Sequence, residues 1–470
     1  MAIPEDSPQP DRATGAAARR RSVRRVWLYG GLMLVPLLYF VLRYPLPQNI
    51  RLTDLGHMAR YGVGEFFGFV LGVGALFTLY LLALREVRSV PARDALPAVF
   101  VISLLTAGLT AFLYPVSAID VFVHYVWAHL ETTHGLNPIA VRPRDIFYDP
   151  LMRFAGGGWD SHPSPYGPLW HQLAAPVSYI AGERVGLAIA GFKLLAVSSL
   201  LAGGWVIVLI LRSVRPGGEA LGAMFYLWNP LIIWEIAGNA HNDATMTLPL
   251  LLALLAWERR RLRWVAPLLV VSALIKYSTL LLLPLAAIAL WRRVGSGSER
   301  AKLIVWSTAT VALVIVVALY PFYNLDAIRD SVLDTSNIFL VSIANMGVGL
   351  LNTRFDPEDL KRWAKLISVA ILLAVLAWQS VAVWRRPERL VRACFEVFFV
   401  FLVAVTWYFQ GWYLTWPLAL AALLPWGWPA WRMIAWTTGA LYVYAVFIWV
   451  RAWWAPTGGG LLRYGVATIF

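Results

Sequence analysis

Apolar runs of about twenty residues recur along this chain, each long enough to cross the hydrocarbon of a bilayer rather than to line a soluble core. Short clusters of Lys and Arg separate them. This alternation predicts an all-α fold, a polytopic transmembrane helical bundle in which every backbone polar group is satisfied within its own helix. The composition agrees, with 59% apolar and 14% charged residues. The net charge of +14 is spread over the inter-span clusters, so it orients helices by the positive-inside rule. No basic domain stands apart from the spans, and no nucleic-acid partner is expected.

Residues 1–25 mix Pro, Ala, Asp and Ser and end in RRRSVRR, a composition expected to stay disordered as a basic cytoplasmic tail. The run from Val26 to Leu46 is too long for a signal-peptide core. The single cysteine, Cys394, falls in an expected span, which leaves no disulfide framework and no thiolate metal site.

Charge and length predict thirteen crossings, at about 26–46, 61–84, 95–115, 186–211, 219–237, 244–257, two within 264–291, then 303–322, 363–385, 393–410, 412–424 and 433–453. The segment 168–182 is expected to lie on or dip into the membrane. The run 264–291 has ERRRLR before it and WRRVGSGSERAK after it, so it must cross an even number of times, turning near Lys276 and Tyr277. The expected organisation is a tail (1–25), two additional N-terminal spans (26–94), a main membrane domain (95–453) with external loops 117–170 and 323–362, and an external tail (454–470). The protein is thus expected to be a multi-pass protein of the inner (plasma) membrane with its N-terminus in the cytoplasm.

The loop 117–170 is unusually long and crowds Asp, His, Tyr and Trp beside the membrane, which marks it as functional. It opens D-V-F-V-H-Y, where Asp120 and His124 share one helical face at i and i+4. Asp120 could take a proton from a sugar hydroxyl; a plain interfacial helix cap is the competing reading. The Pro-rigid segment WDSHPSPYGPLW offers Asp160, His162, Ser164 and Tyr166 to a hydroxylated ligand. In GNAHND, Asn239, His241, Asn242 and Asp243 sit between two spans with little other polarity. His241 and Asp243 lack further ligands at regular spacing, so metal independence is expected there, with a divalent cation as the alternative. Lys276 is the cation suited to a phosphate, with Arg144 and Arg142 in reserve. FQGWYLTWP adds Gln410, Trp412 and Tyr413 on the same side. Asp326, Asp330 and Asp334 read as a solvated stripe. Glu65, Glu235 and Glu396 lie near span ends and receive no role, and Lys193 is expected to reach towards the external surface.

In order, D-V-F-V-H-Y, GLNP, SPYGPLW, WNPL with GNAHND, the lysine of LIKYS and the late W-Y-L-T-W-P resemble the GT-C class of integral-membrane glycosyltransferases. Within it the chain is similar, over about residues 95–430, to bacterial polyprenyl-phosphate-mannose-dependent alpha-mannosyltransferases, which include the alpha-1,6 enzymes of lipoglycan assembly. The resemblance implies inverting transfer of a sugar, mannose by analogy, from a polyprenyl-phosphate donor to a lipid-linked or glycan acceptor. It assigns the general base to Asp120 and the donor-phosphate contacts to Lys276 and His241. No P-loop or dinucleotide motif is present. The rival from another class is a secondary transporter or lipid flippase, which would carry ionisable groups at mid-depth and often an internal repeat.

Overall fold

The structure is a computed structural model that describes residues 12–50, 62–156, 158–322, 324, 326–330, 342–450 and 453. Its regular elements are helices, with one isolated bridge between Pro45 and Leu113 among the described residues. The all-α membrane fold expected from the apolar runs is therefore observed. Seven helices are long and apolar enough to span a membrane: Arg19–Arg43, Val63–Val87, Ala92–Thr110, Val185–Val214, Gly297–Phe322, Pro357–Arg385 and Trp428–Val450. An eighth candidate, Glu219–Leu227 with Pro230–Gly238, is bent by 48° at its break.

The expectation of thirteen full crossings is not confirmed. Asp243–Glu258, Val265–Ile275, Leu283–Arg293, Leu390–Val400 and Thr415–Leu423 have 16, 11, 11, 11 and 9 residues. At 1.5 Å per residue even the longest reaches only about 24 Å, short of a hydrocarbon core roughly 30 Å thick. Hydropathy located these elements but could not show that polar turns cut them short. Pro168–Ala181 is a 14-residue helix, in keeping with a segment that does not cross.

The tail also differs from expectation. It is helical from Arg12 and continuous with the first span to Arg43. Ala16–Arg25 contains neither Gly nor Pro, and Ala and Arg are strong helix formers. Residues 1–11, the tail 454–470 and Asp334 lie outside the described residues.

Burial shows which helices are central. Over half of the Val185–Val214 window is buried, against 6% for Gly297–Phe322 and 17% for Pro357–Arg385, so the latter two present their apolar faces to lipid. The interior is dense in indole: Trp127, Trp170, Trp228, Trp234, Trp416 and Trp449 are all fully buried or nearly so. Lys193 is buried too, and donates to the Thr110 and Leu113 carbonyls at 2.8 and 2.5 Å. It closes the end of Ala92–Thr110 instead of reaching a surface.

The connectivity gives the bundle two chemically different ends. Ala92–Thr110, Glu219–Gly238 and Val265–Ile275 each start beside basic residues and finish at Ser117, Asn239 and Lys276. Val185–Val214, Asp243–Glu258 and Leu283–Arg293 return to Arg215, Arg259 and Arg293. Arg88 lies 3.8 Å above the Trp426 ring, and Arg293 4.1 Å above Trp257, at the basic end.

Candidate active site

The opposite end gathers most of the singled-out residues, and the local sequence explains how. Asp120 is the first residue of the helix Asp120–His134, where a carboxylate is favoured by the helix dipole. That helix stops at Gly135, which adopts a left-handed φ of 65°, while Leu136 N–H reaches back 3.0 Å to the Leu130 carbonyl. Asn137 then folds an Asx turn onto Ile139 N–H, 2.9 Å away, and Pro138 C=O accepts from Ser164 N–H at 2.8 Å. GLNP and SPYGP thus dock to each other and close the loop over the Asp120 helix.

The same strap fixes Lys276. Gly167 N–H donates to the Ile275 carbonyl at 3.1 Å, and a Cβ on Gly167 would stand 2.1 Å from the Leu274 carbonyl oxygen. Only glycine permits that approach. Immediately afterwards Lys276 leaves helical geometry (φ −148°, ψ 119°) and the chain turns through Tyr277–Leu282, where a turn was expected.

In WNPLIIWEIAGNAHND the Asn229 side chain caps Leu231 N–H at 3.1 Å, and a π-helical stretch, Ile233–Gly238, follows. Ala240 takes a left-handed φ of 61°, unusual for a residue with a Cβ. It turns the chain so that His241 points back under Asp120.

The resulting cluster has a definite order. His241 Nδ1 is 3.6 Å from Asp120 Oδ2, and its Nε2 is 3.3 Å from Glu235 Oε2, although neither pair is aligned as a hydrogen bond. The imidazole stacks on Trp412 at 3.8 Å and 15°. Glu235, which received no role from the sequence, is fully buried and accepts from Tyr444 Oη at 2.6 Å and Asn239 Nδ2 at 2.8 Å. Asn239 Nδ2 also reaches Ser117 Oγ at 2.5 Å. The sequence signal that marks Glu235 is its i, i+4 relation to Asn239, six residues before His241.

Beside this cluster, Lys276 Nζ donates to Asp243 Oδ1 at 2.8 Å, and the Trp416 indole donates to the same oxygen at 2.6 Å. Asp243 Oδ2 is buried with no hydrogen-bond partner. The ammonium lies 4.5 Å from the Tyr413 ring centroid, 5.3 Å from Trp416 and 5.6 Å from Tyr166. One of its three protons is committed to Asp243, which leaves two for a ligand.

Burial pushes the Asp120 carboxyl above the usual carboxylate range, while His241 and Lys276 pull it back and Asp243 and Glu235 push it further up. Its side chain is 16% exposed, so one side of the group remains reachable. His124 is held neutral, its pKa pushed well down by burial and then by the neighbouring cations. It packs at 4.8 and 4.9 Å against Tyr166 and Trp170, with both ring nitrogens unpaired. Ser164 is buried, and its Oγ accepts from Tyr166 N–H at 3.3 Å. Gln410 hydrogen-bonds Tyr408, whose phenol senses the Asp120 charge.

Three expected residues do not join the cluster through any described contact. Arg144 is exposed, Arg142 is engaged with Asp145 at 3.0 Å, and His162 packs near Trp159 at 6.2 Å. His241 does not offer an open anion pocket, because it sits between two carboxylates. Arg329 pairs with Asp326 and Asp330 at the surface, as a solvated stripe would.

Residues 39–292 match the family described as alpha-(1->6)-mannopyranosyltransferase, N-terminal domain. Two proteins of Corynebacterium glutamicum are similar over shorter stretches. Alpha-(1->6)-mannopyranosyltransferase B is 27% identical over 154 residues, 31% of this chain and 25% of that one. Alpha-(1->6)-mannopyranosyltransferase A is 27% identical over 178 residues, 37% and 35% of the two chains. A probable alpha-(1->6)-mannopyranosyltransferase of Mycolicibacterium smegmatis is 26% identical over 211 residues, 38% and 37%. This chain therefore spans about a quarter to two fifths of the length of these curated relatives. The matched family segment contains Asp120, Glu235, His241, Asp243 and Lys276, whereas Trp412, Tyr413 and Tyr444 lie beyond it.

Proposed function

This chain belongs to the alpha-(1->6)-mannopyranosyltransferase family, and from that premise we propose that it is an inverting mannosyltransferase drawing on a polyprenyl-phosphate donor and a lipid-linked or glycan acceptor. The observation that carries the reading is the convergence of Asp120, His241, Glu235, Asp243 and Lys276 at one end of the bundle.

In this reading the acceptor oxygen attacks the anomeric carbon opposite the phosphate, and Asp120 takes the hydroxyl proton as that bond forms. The bond from the anomeric carbon to the phosphate oxygen breaks through an oxocarbenium-like transition state, and the phosphate leaves with its electron pair. Phosphate is a good leaving group, so it needs charge stabilisation rather than a second acid. The two free Lys276 protons supply it in this reading, which calls on no metal. His241 and Glu235 act as positioning residues that hold the orientation and charge of Asp120.

Two features favour a lipid-borne donor. Asp243–Glu258 is only 16 residues long and the apolar helix Leu262–Ile275 only 14, about 24 and 21 Å at 1.5 Å per residue, so in this reading their polar ends are recessed within a hydrocarbon layer roughly 30 Å thick. A recessed cation suits a phosphate that enters from the bilayer. By the positive-inside rule the basic end is cytoplasmic, so the proposed active site faces the external or periplasmic side of the inner membrane.

The test is purified protein with polyprenyl-phosphate-linked mannose, glucose and arabinose against lipid and glycan acceptors. Mannose transfer supports the reading; no transfer from any lipid-phosphate sugar, with folded protein, overturns it.

A further inference from the structure

Beyond the reaction centre, the far end of the Asp120 helix carries a second constellation that the proposed chemistry does not use. His129 Nε2 and His134 Nε2 lie 3.0 and 2.8 Å from one atom, Oδ2 of Asp149. All three donor atoms fall within 4.8 Å of one another. On a helix, positions five apart point about 140° away from each other, so His129 and His134 do not meet through helical periodicity. They converge because His134 is the last helical residue before left-handed Gly135 and because the loop delivers Asp149 between them.

The surroundings are built to hold these side chains. Asp149 Oδ1 accepts from Leu151 N–H at 2.8 Å, capping the turn Pro150–Phe154 and leaving Oδ2 for the histidines. Thr133 Oγ1 lies 3.1 Å from His129 Nδ1, the outer contact that fixes a ligand imidazole's orientation and tautomer. The His129 side chain is 3% exposed, while those of His134 and Asp149 are 18% and 11% exposed, so the group is anchored on one side and open on the other.

We propose that His129, His134 and Asp149 form a transition-metal site, with zinc the metal their chemistry suits best and the fourth position left to water. Two imidazoles and one carboxylate are a set that zinc takes when its fourth position is kept open. Bonds of about 2.0–2.1 Å in a tetrahedron place ligand atoms roughly 3.4 Å apart, so the ion enters if Asp149 withdraws by about half an ångström. The ion pins the segment 143–154 to the helix that presents Asp120, nine residues before His129. It thereby ties the loop to the far end of that helix without touching the reacting atoms.

The test uses the full-length protein, stripped with chelator, supplied with zinc or cobalt and freed of excess metal. The site predicts one tightly held zinc per chain, lost in His134→Ala and Asp149→Ala, with cobalt giving the visible absorption of a tetrahedral centre. His134→Cys keeps a ligand, so it should retain the metal and add a thiolate-to-cobalt band, which a folding defect would not produce. Asp120→Asn should bind zinc normally, so the outcome is independent of the transferase assignment. Zinc retention that is absent in the wild type, or equal in wild type, His134→Ala and Asp149→Ala, overturns the proposal.

Discussion

Lys276 and Asp243 form a 2.8 Å ion pair in which the carboxylate is wholly buried and the ammonium is 12% exposed. The pair sets the position of the cation that the proposed reaction uses, and it also makes the cation structurally important. Removing one partner of a buried pair leaves an uncompensated charge and costs up to about 3–5 kcal/mol. Lys276→Ala would thus mix a stability loss with a kinetic one.

Lys276→Gln retains a donor towards Asp243 while removing the charge. It should lower kcat by roughly 10²-fold, the size of effect seen when one stabilising donor is lost from a transition state, with protein of normal elution and a modestly lower melting temperature. Steady-state kinetics on monodisperse protein checks this. Unchanged donor kinetics would remove the lysine from the site.

The pH dependence follows from the groups around Asp120. A general base works only when ionised, so the rate falls tenfold per unit as pH drops below its pKa. Burial raises that pKa, and the acidic limb of kcat/KM should therefore lie above the ordinary carboxylate region near pH 4. Lys276 holds the pKa down and Glu235 holds it up, so Lys276→Gln should move the limb to higher pH and Glu235→Gln to lower pH. Limbs that move the same way in both variants would break the electrostatic account.

Gly167→Ala should be harmful although glycine contributes no side chain. The added Cβ meets the Leu274 carbonyl oxygen at 2.1 Å, and overpacking of this kind costs about 1–3 kcal/mol. Because the contact lies two residues before Lys276, kcat/KM should fall along with the melting temperature. Gly31 has open space around its Cβ position, so Gly31→Ala serves as the matched control.

Much of this was legible in the sequence, for identifiable reasons. Long apolar runs with basic flanks located the major helices, and the parity of ERRRLR and WRRVGSGSERAK located the turn at Lys276. Helix length was not legible, because hydropathy does not report that Asp243–Glu258 and Val265–Ile275 stop after 16 and 11 residues. Glu235 was hidden for a related reason. It stands inside IIWEIAG, and its meaning depends on Tyr444, 209 residues away. Arg144 and His162 looked equivalent to Tyr166 by composition, yet only backbone contacts such as Gly167 to Ile275 decide which loop residues turn inward. The grouping of His129, His134 and Asp149 follows no helical or motif spacing and becomes visible only when the loop is folded.

The central claim is that Asp120 is the proton acceptor, and the most direct measurement is turnover and donor binding by purified Asp120→Asn beside the parent protein. The account predicts folded protein that binds the lipid-phosphate sugar with unchanged affinity while transfer falls by about 10²–10⁴-fold, the contribution of a general base. Transfer within a few-fold of the parent, at equal donor occupancy, would contradict it.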